Sequence, residues 1–242
     1  MLYRRISFSL RNSGRDIFLA ACQWGTEQVE NWISSCGAHS YRSTTDIQDS
    51  WNSIRSIADQ RLAHLEDGHT GCWNDMDMLV VGMNGKGLNP ETSAQGCEGC
   101  SEEEYQSHFA LWCMLNSPLI IGGDVRTLDE KAKKLLKNRD LIGINQDPEG
   151  RNCYKLTCPC SPGAFTLIRP LSGGRYAIGI FNFGEKELMT GFPFWDMGLS
   201  ICQGQKLNFY DCLKHEGAGI FAECFSTAVP AHGCRVYLCS AV

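Results

Sequence analysis

Carboxylates, amides and tryptophan gather at a few places in this 242-residue sequence. Cys22, Gln23 and Trp24 close the apolar run at 17–22, and Thr45 and Asp46 end a second segment that starts at His39. Trp73, Asn74, Asp75, Asp77 and Met78 surround the run at 77–81, and Gly123 and Asp124 follow the run at 118–122. A carboxyl group can give and take a proton, carboxylates and amides bond paired hydroxyls, and an indole face covers an apolar ring surface. That mixture suits a sugar. Each group also stands at the end of an apolar run, where a parallel α/β barrel keeps its functional residues.

The elements that would position these groups read as four strand–helix units over residues 1–145. The unbroken run at 17–22 is a strand covered on both faces. Thr26 opens a helix with Val29, Trp32, Ile33 and Cys36 on one face and Gly37 as its C-cap. A second strand lies within 39–45, followed by a helix capped by Asp49 or Ser50 that carries Trp51, Ile54, Ile57, Ala58, Leu62 and Leu65. The third strand is the run at 77–81. Its helix begins at the Ser101/Glu104 capping box, with Tyr105, Phe109, Trp112 and Cys113 along the buried stripe. The fourth strand is 118–122, and Thr127 with Glu130 forms the capping box of the last helix. Apolar strands alternating with helices imply a parallel sheet. Residues 2–10 form an amphipathic helix ahead of them.

After Asn145 the helical period stops. Alternating runs at 164–169, 175–183, 206–210, 219–224 and 234–239, with a Ser172-Gly-Gly174 turn, predict an antiparallel β-sandwich. Asp147-Pro-Glu-Gly150 reads as the boundary, giving units of 1–148 and 149–242.

With 43% hydrophobic and 20% charged residues the chain is an ordinary globular protein, and a net charge of -5 gives no reason to expect nucleic acid or an anionic membrane as partner. No apolar stretch reaches the roughly 20 residues of a membrane span, and residues 1–12 lack a signal-peptide pattern. Fourteen cysteines, spread through strands and helices, read as reduced thiols of a cytoplasmic protein, with a bridge or two conceivable among Cys202, Cys212, Cys224, Cys234 and Cys239. Cys97-Glu-Gly-Cys100 is a lone pair without a second at ligand spacing, so no zinc site is expected. No phosphate loop or Ser/His/Asp order suggests a cofactor or another chemistry.

Several segments, in order, resemble glycoside hydrolase family 27 α-galactosidases. They are Cys22-Gln-Trp-Gly25, Arg42-Ser-Thr-Thr-Asp46 through Trp51, Trp73-Asn-Asp-Met-Asp-Met-Leu79, His108-Phe-Ala-Leu-Trp112, Ser117 through Arg126, and Ile144-Asn-Gln-Asp-Pro148. The resemblance implies the second half of a (β/α)8 TIM barrel followed by the family's C-terminal β domain. It implies that Asp46 is the general acid/base and that Arg42 bonds the sugar 2-hydroxyl. Trp24, Cys22 and Gln23 would shape the pocket, Asp77 and Met78 would line its other wall, and a galactose-containing glycoside would be the substrate. Asp46 would have to hold its proton through a neighbouring carboxylate and partial burial.

There are departures. The family's nucleophile lies in a Tyr-Asp-Asn-Cys-like motif on the strand before residue 17, and this chain has no such motif. Met76 stands where a proline is usual, and Gln23 where many members have glutamate. Half a barrel would also leave sheet edges unpaired and apolar surface uncovered.

Blander roles compete. Asp46 could be a helix N-cap, Asp75 and Asp77 could bond turn backbone, and Trp24 could be core. Trp112 and Phe109 read as core. The chain could be a non-catalytic remnant that binds sugar weakly, or belong to an α-N-acetylgalactosaminidase, a choice that depends on the space near residues 23–27.

Overall fold

The computed structural model describes residues 2–86, 99–157, 163–200 and 204–242. Helix α1 (Leu2–Arg11) precedes three short parallel strands, β1 (Ala20–Cys22), β2 (Ser40–Arg42) and β3 (Trp73–Asp75), hydrogen-bonded in that order. Helix α2 (Trp51–Leu62) links β2 to β3. Cys22 pairs with Arg42 and Arg42 with Asp75, so the three strands end level with one another. Helices α3 (Glu102–Met114), α4 (Glu130–Leu136) and α5 (Arg139–Asn145) follow. A small core of Ala21, Val29, Ile33, Ala38, Tyr41 and Cys72 lies against the strands.

Several expectations need correction. The helix expected from Thr26 is two 3-10 turns, Thr26–Asn31 and Ser34–Cys36, because Glu27 and Gln28 take φ of 58° and 52° and break the helical path. Gly37 does end the second turn with φ 82°. The third strand is Trp73–Asp75, upstream of the apolar run at 77–81, because Asp77 adopts φ 87° and leaves the extended region. The runs at 77–81 and 118–122 meet only through a parallel bridge, Leu79 with Ile121. Thr127 does not cap α4. Asp129 does, accepting the Ala132 amide at 2.8 Å.

Other signals fold as read. Ser50 caps α2 through the Ser53 amide, and the Ser101/Glu104 capping box opens α3 with both reciprocal bonds present. The sheet is open: no strand among the described residues pairs with the outer edge of β1. Ile17, Phe18, Ile120, Ile121 and Val125 are correspondingly exposed.

The second part of the chain is a β-sandwich. One sheet has six strands, in the order β4 (Tyr154–Thr157), β5 (Ala164–Leu171), β6 (Arg175–Asn182), β11 (Cys234–Ala241), β8 (Lys206–Asp211) and β9 (Glu216–Ala222). The other pairs β7 (Leu188–Pro193) with β10 (Cys224–Val229). Between them lie Ile168, Ile178, Ile180, Phe192, Phe209, Phe225 and Val229, with Phe209 stacked on Phe225 at 4.3 Å. Strands β4, β7 and β10 escaped the sequence pattern, and the run expected at 219–224 breaks at Glu223, where φ is 68°.

Helix α3 joins the two parts. Trp51, Phe109, Trp112 and Met114 share one core with Phe165, Phe181, Phe183 and Val236 of the sandwich. Ser107 donates to the His232 carbonyl at 2.6 Å, and Arg169, fully buried, donates to the Cys113 carbonyl at 3.0 Å. Ten cysteines among the described residues are free thiols; Cys97, Cys158, Cys160 and Cys202 lie outside those residues. No helix among the described residues is long and apolar enough to cross a membrane.

His108 is wholly buried on α3, accepts the Val80 amide through Nε2 at 3.1 Å and packs edge-on against Trp112 at 4.1 Å. Burial pushes its pKa down to about 3. An unfolded histidine takes its proton near pH 6.5, so acid favours the unfolded chain. The His108 contribution is therefore full above about pH 6.5 and is lost as pH falls from there toward the folded value. Urea midpoints measured between pH 7 and pH 4 should fall less steeply for His108→Gln than for the parent; parallel slopes would refute the assignment.

Candidate active site

The site is built where β2 ends. Arg42 is its last residue, and the chain then turns through Ser43, Thr44 and Thr45 to Asp46. The Ser43 amide continues the ladder by donating to the Asp75 carbonyl at 3.1 Å, so this turn is tied to β3 from the start. Arg42 Nη2 then reaches three acceptors: the Thr45 carbonyl at 2.9 Å, Asp46 Oδ1 at 3.1 Å and Asp77 Oδ2. Its Nε is buried and has no partner among the described residues.

Two of these three side chains are nearly covered. Arg42 and Asp77 are 12% and 13% exposed, whereas Asp46 is 77% exposed. The Arg42–Asp77 pair is therefore the well-shielded interaction and the Arg42–Asp46 pair a surface one. Asp77 does more than pair with Arg42. Its Oδ2 also accepts the Ile47 amide at 2.7 Å, and Oδ1 accepts the Met78 amide at 2.7 Å. The residue directly after Asp46 is thus held by the same carboxylate that holds Arg42.

Asp75 serves the turn: its Oδ1 accepts the Asp77 amide at 2.8 Å. Burial pushes the Asp75 carboxyl up, against the lowering effects of that hydrogen bond and of Arg42. Asn74 and Ser43 are hydrogen-bonded behind it, and Asn74 reaches the Tyr41 hydroxyl at 3.3 Å.

The β1 loop lies against this turn. The Gly25 amide donates to the Arg42 carbonyl at 3.4 Å, and a Cβ on Gly25 would come within 2.3 Å of the Ser43 carbonyl oxygen. Glycine is required there on two counts, since φ is 71°. Trp24 beside it has φ 54° and is 55% exposed, so it is no core residue. Cys22 is exposed. The Tyr3 hydroxyl of α1 donates to the Cys22 carbonyl at 3.0 Å and to Gln23 Oε1 at 3.2 Å, while Gln23 Nε2 bonds Thr26. Gln23 is spent on its own surroundings. Met78 is half-buried, its thioether lying so close to Gly122 that a Cβ there would come within 2.3 Å of Sδ.

The structure therefore brings Arg42, Asp46 and Asp77 into direct contact, with Trp24 on the adjoining loop. The side chains of Cys22, Gln23 and Met78 are near in the fold and make no hydrogen bond to those three side chains, although the Met78 amide donates to Asp77 Oδ1 and Cys22 pairs with Arg42 in the sheet. The N-cap alternative for Asp46 does not hold, because Ser50 caps α2. The partial burial expected of Asp46 is missing: its side chain is 77% exposed. A cleft of about 500 Å³ lies elsewhere, along α3 and α4 near Tyr105, Asp129 and His215, and touches none of these groups. Among the described residues no cluster of His, Cys, Asp and Glu could hold a metal.

Sequence reasoning missed two supports. Ser117 Oγ accepts the Met76 amide at 3.0 Å, and the Trp112 indole donates to the Asp77 carbonyl at 2.7 Å. Both come from elements remote in sequence, and an apolar stripe on a helix gives no sign that its indole N–H has work outside the helix.

Comparison with known proteins identifies the family. The alpha galactosidase A family matches residues 1–147, and the alpha galactosidase C-terminal beta sandwich domain matches residues 165–239. Alpha-galactosidase 2 of Arabidopsis thaliana is 34% identical over 236 residues, covering 97% of this chain and 54% of its own length. The alpha-galactosidase of Cyamopsis tetragonoloba is 32% identical, covering 98% and 53%. The chain spans about half the length of the curated relatives it matches. In fold it is similar to alpha-galactosidase I from Mortierella vinacea, with TM-score 0.84, 23% identity and coverage of 98% of this chain and 62% of that one. The Saccharomyces cerevisiae enzyme solved with raffinose gives TM-score 0.79 at 20% identity, covering 99% and 67%. With a matching family model over more than half of its residues, the chain belongs to the glycoside hydrolase family 27 α-galactosidases and corresponds to their C-terminal portion.

Proposed function

We propose that this chain carries the acid/base side of a retaining α-galactosidase site. The observation that supports it best is the Arg42 guanidinium, shared between Asp46 and Asp77 at the end of β2. In this reading β1, β2, β3 and the run at 118–122 are the last four strands of an eight-stranded barrel. The strands that complete it, and the nucleophilic carboxylate, come from polypeptide outside residues 1–242. Asp46 protonates the glycosidic oxygen as the bond to the anomeric carbon breaks and the nucleophile's carboxylate bonds that carbon. Asp46 then takes a proton from the water that releases the sugar. Arg42 orients Asp46 and presents a cation to the sugar hydroxyls, and Trp24 offers its exposed face to the ring.

The open sheet fits this division of labour. Asp46, Trp24, Ile120 and Ile121 are exposed here, and the completing strands would cover that side of the site. Residues 1–242 alone are then expected to be inactive, since one carboxylate cannot form the glycosyl-enzyme.

The activity test uses residues 1–242 joined behind the preceding part of the Cyamopsis relative. The joined protein should cleave aryl and alkyl α-galactosides. Asp46→Asn should lower kcat/KM for the alkyl substrate by about 10²–10⁴ and affect a good aryl leaving group less. Equal, undiminished turnover of both substrates by Asp46→Asn rules out the acid role. A panel that includes α-N-acetylgalactosaminides separates the related specificity, and saturable galactose binding without turnover in the joined protein favours the non-catalytic alternative.

The ion pairs make a separate stability forecast. Arg42→Ala leaves the covered Asp77 carboxylate without its cation and should cost about 3 kcal/mol. Asp46→Asn removes only a surface contact and should cost no more than about 1 kcal/mol. Equal shifts in urea denaturation of the two variants would show that the Asp77 pairing carries no special weight.

A further inference from the structure

The stretch from Met76 to Val80 is buried or half-buried, yet it is not a regular strand. Its backbone groups therefore need partners from outside a ladder. Asp75 and Asp77 supply carboxylate oxygens to the Asp77 and Met78 amides, and Leu79 is bonded through its bridge to residues 120–122. Three side chains from beyond this segment supply the others. Ser117 accepts the Met76 amide, Trp112 donates to the Asp77 carbonyl, and His108 accepts the Val80 amide. Of the three, only Trp112 touches Asp77 itself.

Asp77 is the residue that needs holding. Its φ of 87° is a conformation that a side-chain-bearing residue adopts only when its surroundings enforce it. Its carboxylate must at the same time meet the Met78 amide, the Ile47 amide and Arg42. Rotating the Asp77 peptide would move all three contacts together. The Trp112 indole, fully buried and packed edge-on against His108, fixes that peptide from the carbonyl side at 2.7 Å.

We propose that Trp112 is a positioning residue for the site: its indole N–H sets the left-handed turn at Asp77, and through Asp77 it sets Arg42 and the backbone next to Asp46. The consequence for hydrolysis rests on the α-galactosidase reading above; the consequence for Arg42 does not.

The first test uses the 242-residue chain with ¹⁵N-labelled arginine, the Arg42 signals being assigned by comparison with Arg42→Lys. In the parent, the bridged guanidinium should rotate slowly and give resolved Nη–H signals. In Trp112→Phe, which keeps an aromatic ring and loses the N–H, those signals should merge. Phe109→Leu, a core change on the same helix, should lower the thermal midpoint and leave the Arg42 signals resolved. If Trp112→Phe does not fold, 3-benzothienylalanine at position 112 keeps the shape and replaces the N–H with sulfur. Unchanged Arg42 signals in a folded Trp112 variant, or equal loss of them in Phe109→Leu, overturn the proposal.

The second test uses the joined protein. Trp112→Phe should lower kcat/KM for the alkyl α-galactoside by about tenfold, the size of one net hydrogen bond, and Phe109→Leu should not. A Trp112 variant with mobile Arg42 and full activity also overturns the positioning role. A parent joined protein with no hydrolytic activity instead refutes the α-galactosidase reading, while the Arg42 signals still decide the role of Trp112.

Discussion

The site depends on keeping a covered guanidinium paired. Arg42 is nearly out of water, and a cation in that position is tolerable only with a carboxylate against it. Asp77 meets that need, and the consequences spread from there. Because Asp77 arrives from a different strand connection, 35 residues on, the pair locks the end of β2 to the segment after β3. The same carboxylate then takes the Ile47 amide, so the loop bearing Asp46 is anchored at its next residue. Asp46 itself is left free to face outward. One carboxylate is spent on structure so that another can stay available.

Meeting that demand requires a break in regular structure. A strand continued through 76–80 would alternate its side chains across the sheet. The left-handed step at Asp77 instead turns its carboxylate back toward β2, and the ladder is lost as a result. Helix α3 repairs the loss from behind with Trp112 and His108. That helix is also the one whose opposite side is built into the sandwich, through Ser107, Cys113 and the aromatic core around Phe165 and Phe181. The sandwich therefore contributes to the site indirectly, by fixing the helix that fixes Asp77.

How much of this the sequence revealed depended on which force set each feature. Caps are local, so the Ser101/Glu104 box and Ser50 could be read directly. The long alternating strands β5, β6, β8 and β11 were equally legible. The apolar run at 77–81 was not, because hydrophobicity reports burial and says nothing of ladder pairing. Those residues are buried under α3 and carry only one bridge, while the true strand, Trp73-Asn-Asp75, is too short and polar to stand out. Likewise the pattern at Val29, Trp32 and Ile33 marked a buried face correctly, yet Glu27 and Gln28 deny it a helix. Strand β7 was hidden by Gly191 and Pro193, and Gly191 is there because a Cβ would come within 2.1 Å of the Phe225 carbonyl oxygen. For the site, strand-end position singled out Asp46 and Asp77 together. It could not assign them different tasks, because exposure separates them and exposure is a property of the fold.

That difference in exposure bears on what an open sheet can hold in place. Phe18, Ile120 and Val125 are uncovered, and the outer edge of β1 has no partner strand among the described residues. Even so, the contacts of Arg42 with Asp46 and Asp77 are made within the end of β2, the turn that follows it and the segment after β3, with α3 holding the Asp77 carbonyl. None of them involves the open edge of β1. The placement of the Asp46 loop and the covering of the open edge are thus separable. The placement is built into these 242 residues by one ion pair and one indole hydrogen bond, neither of which depends on whether the exposed apolar edge is covered.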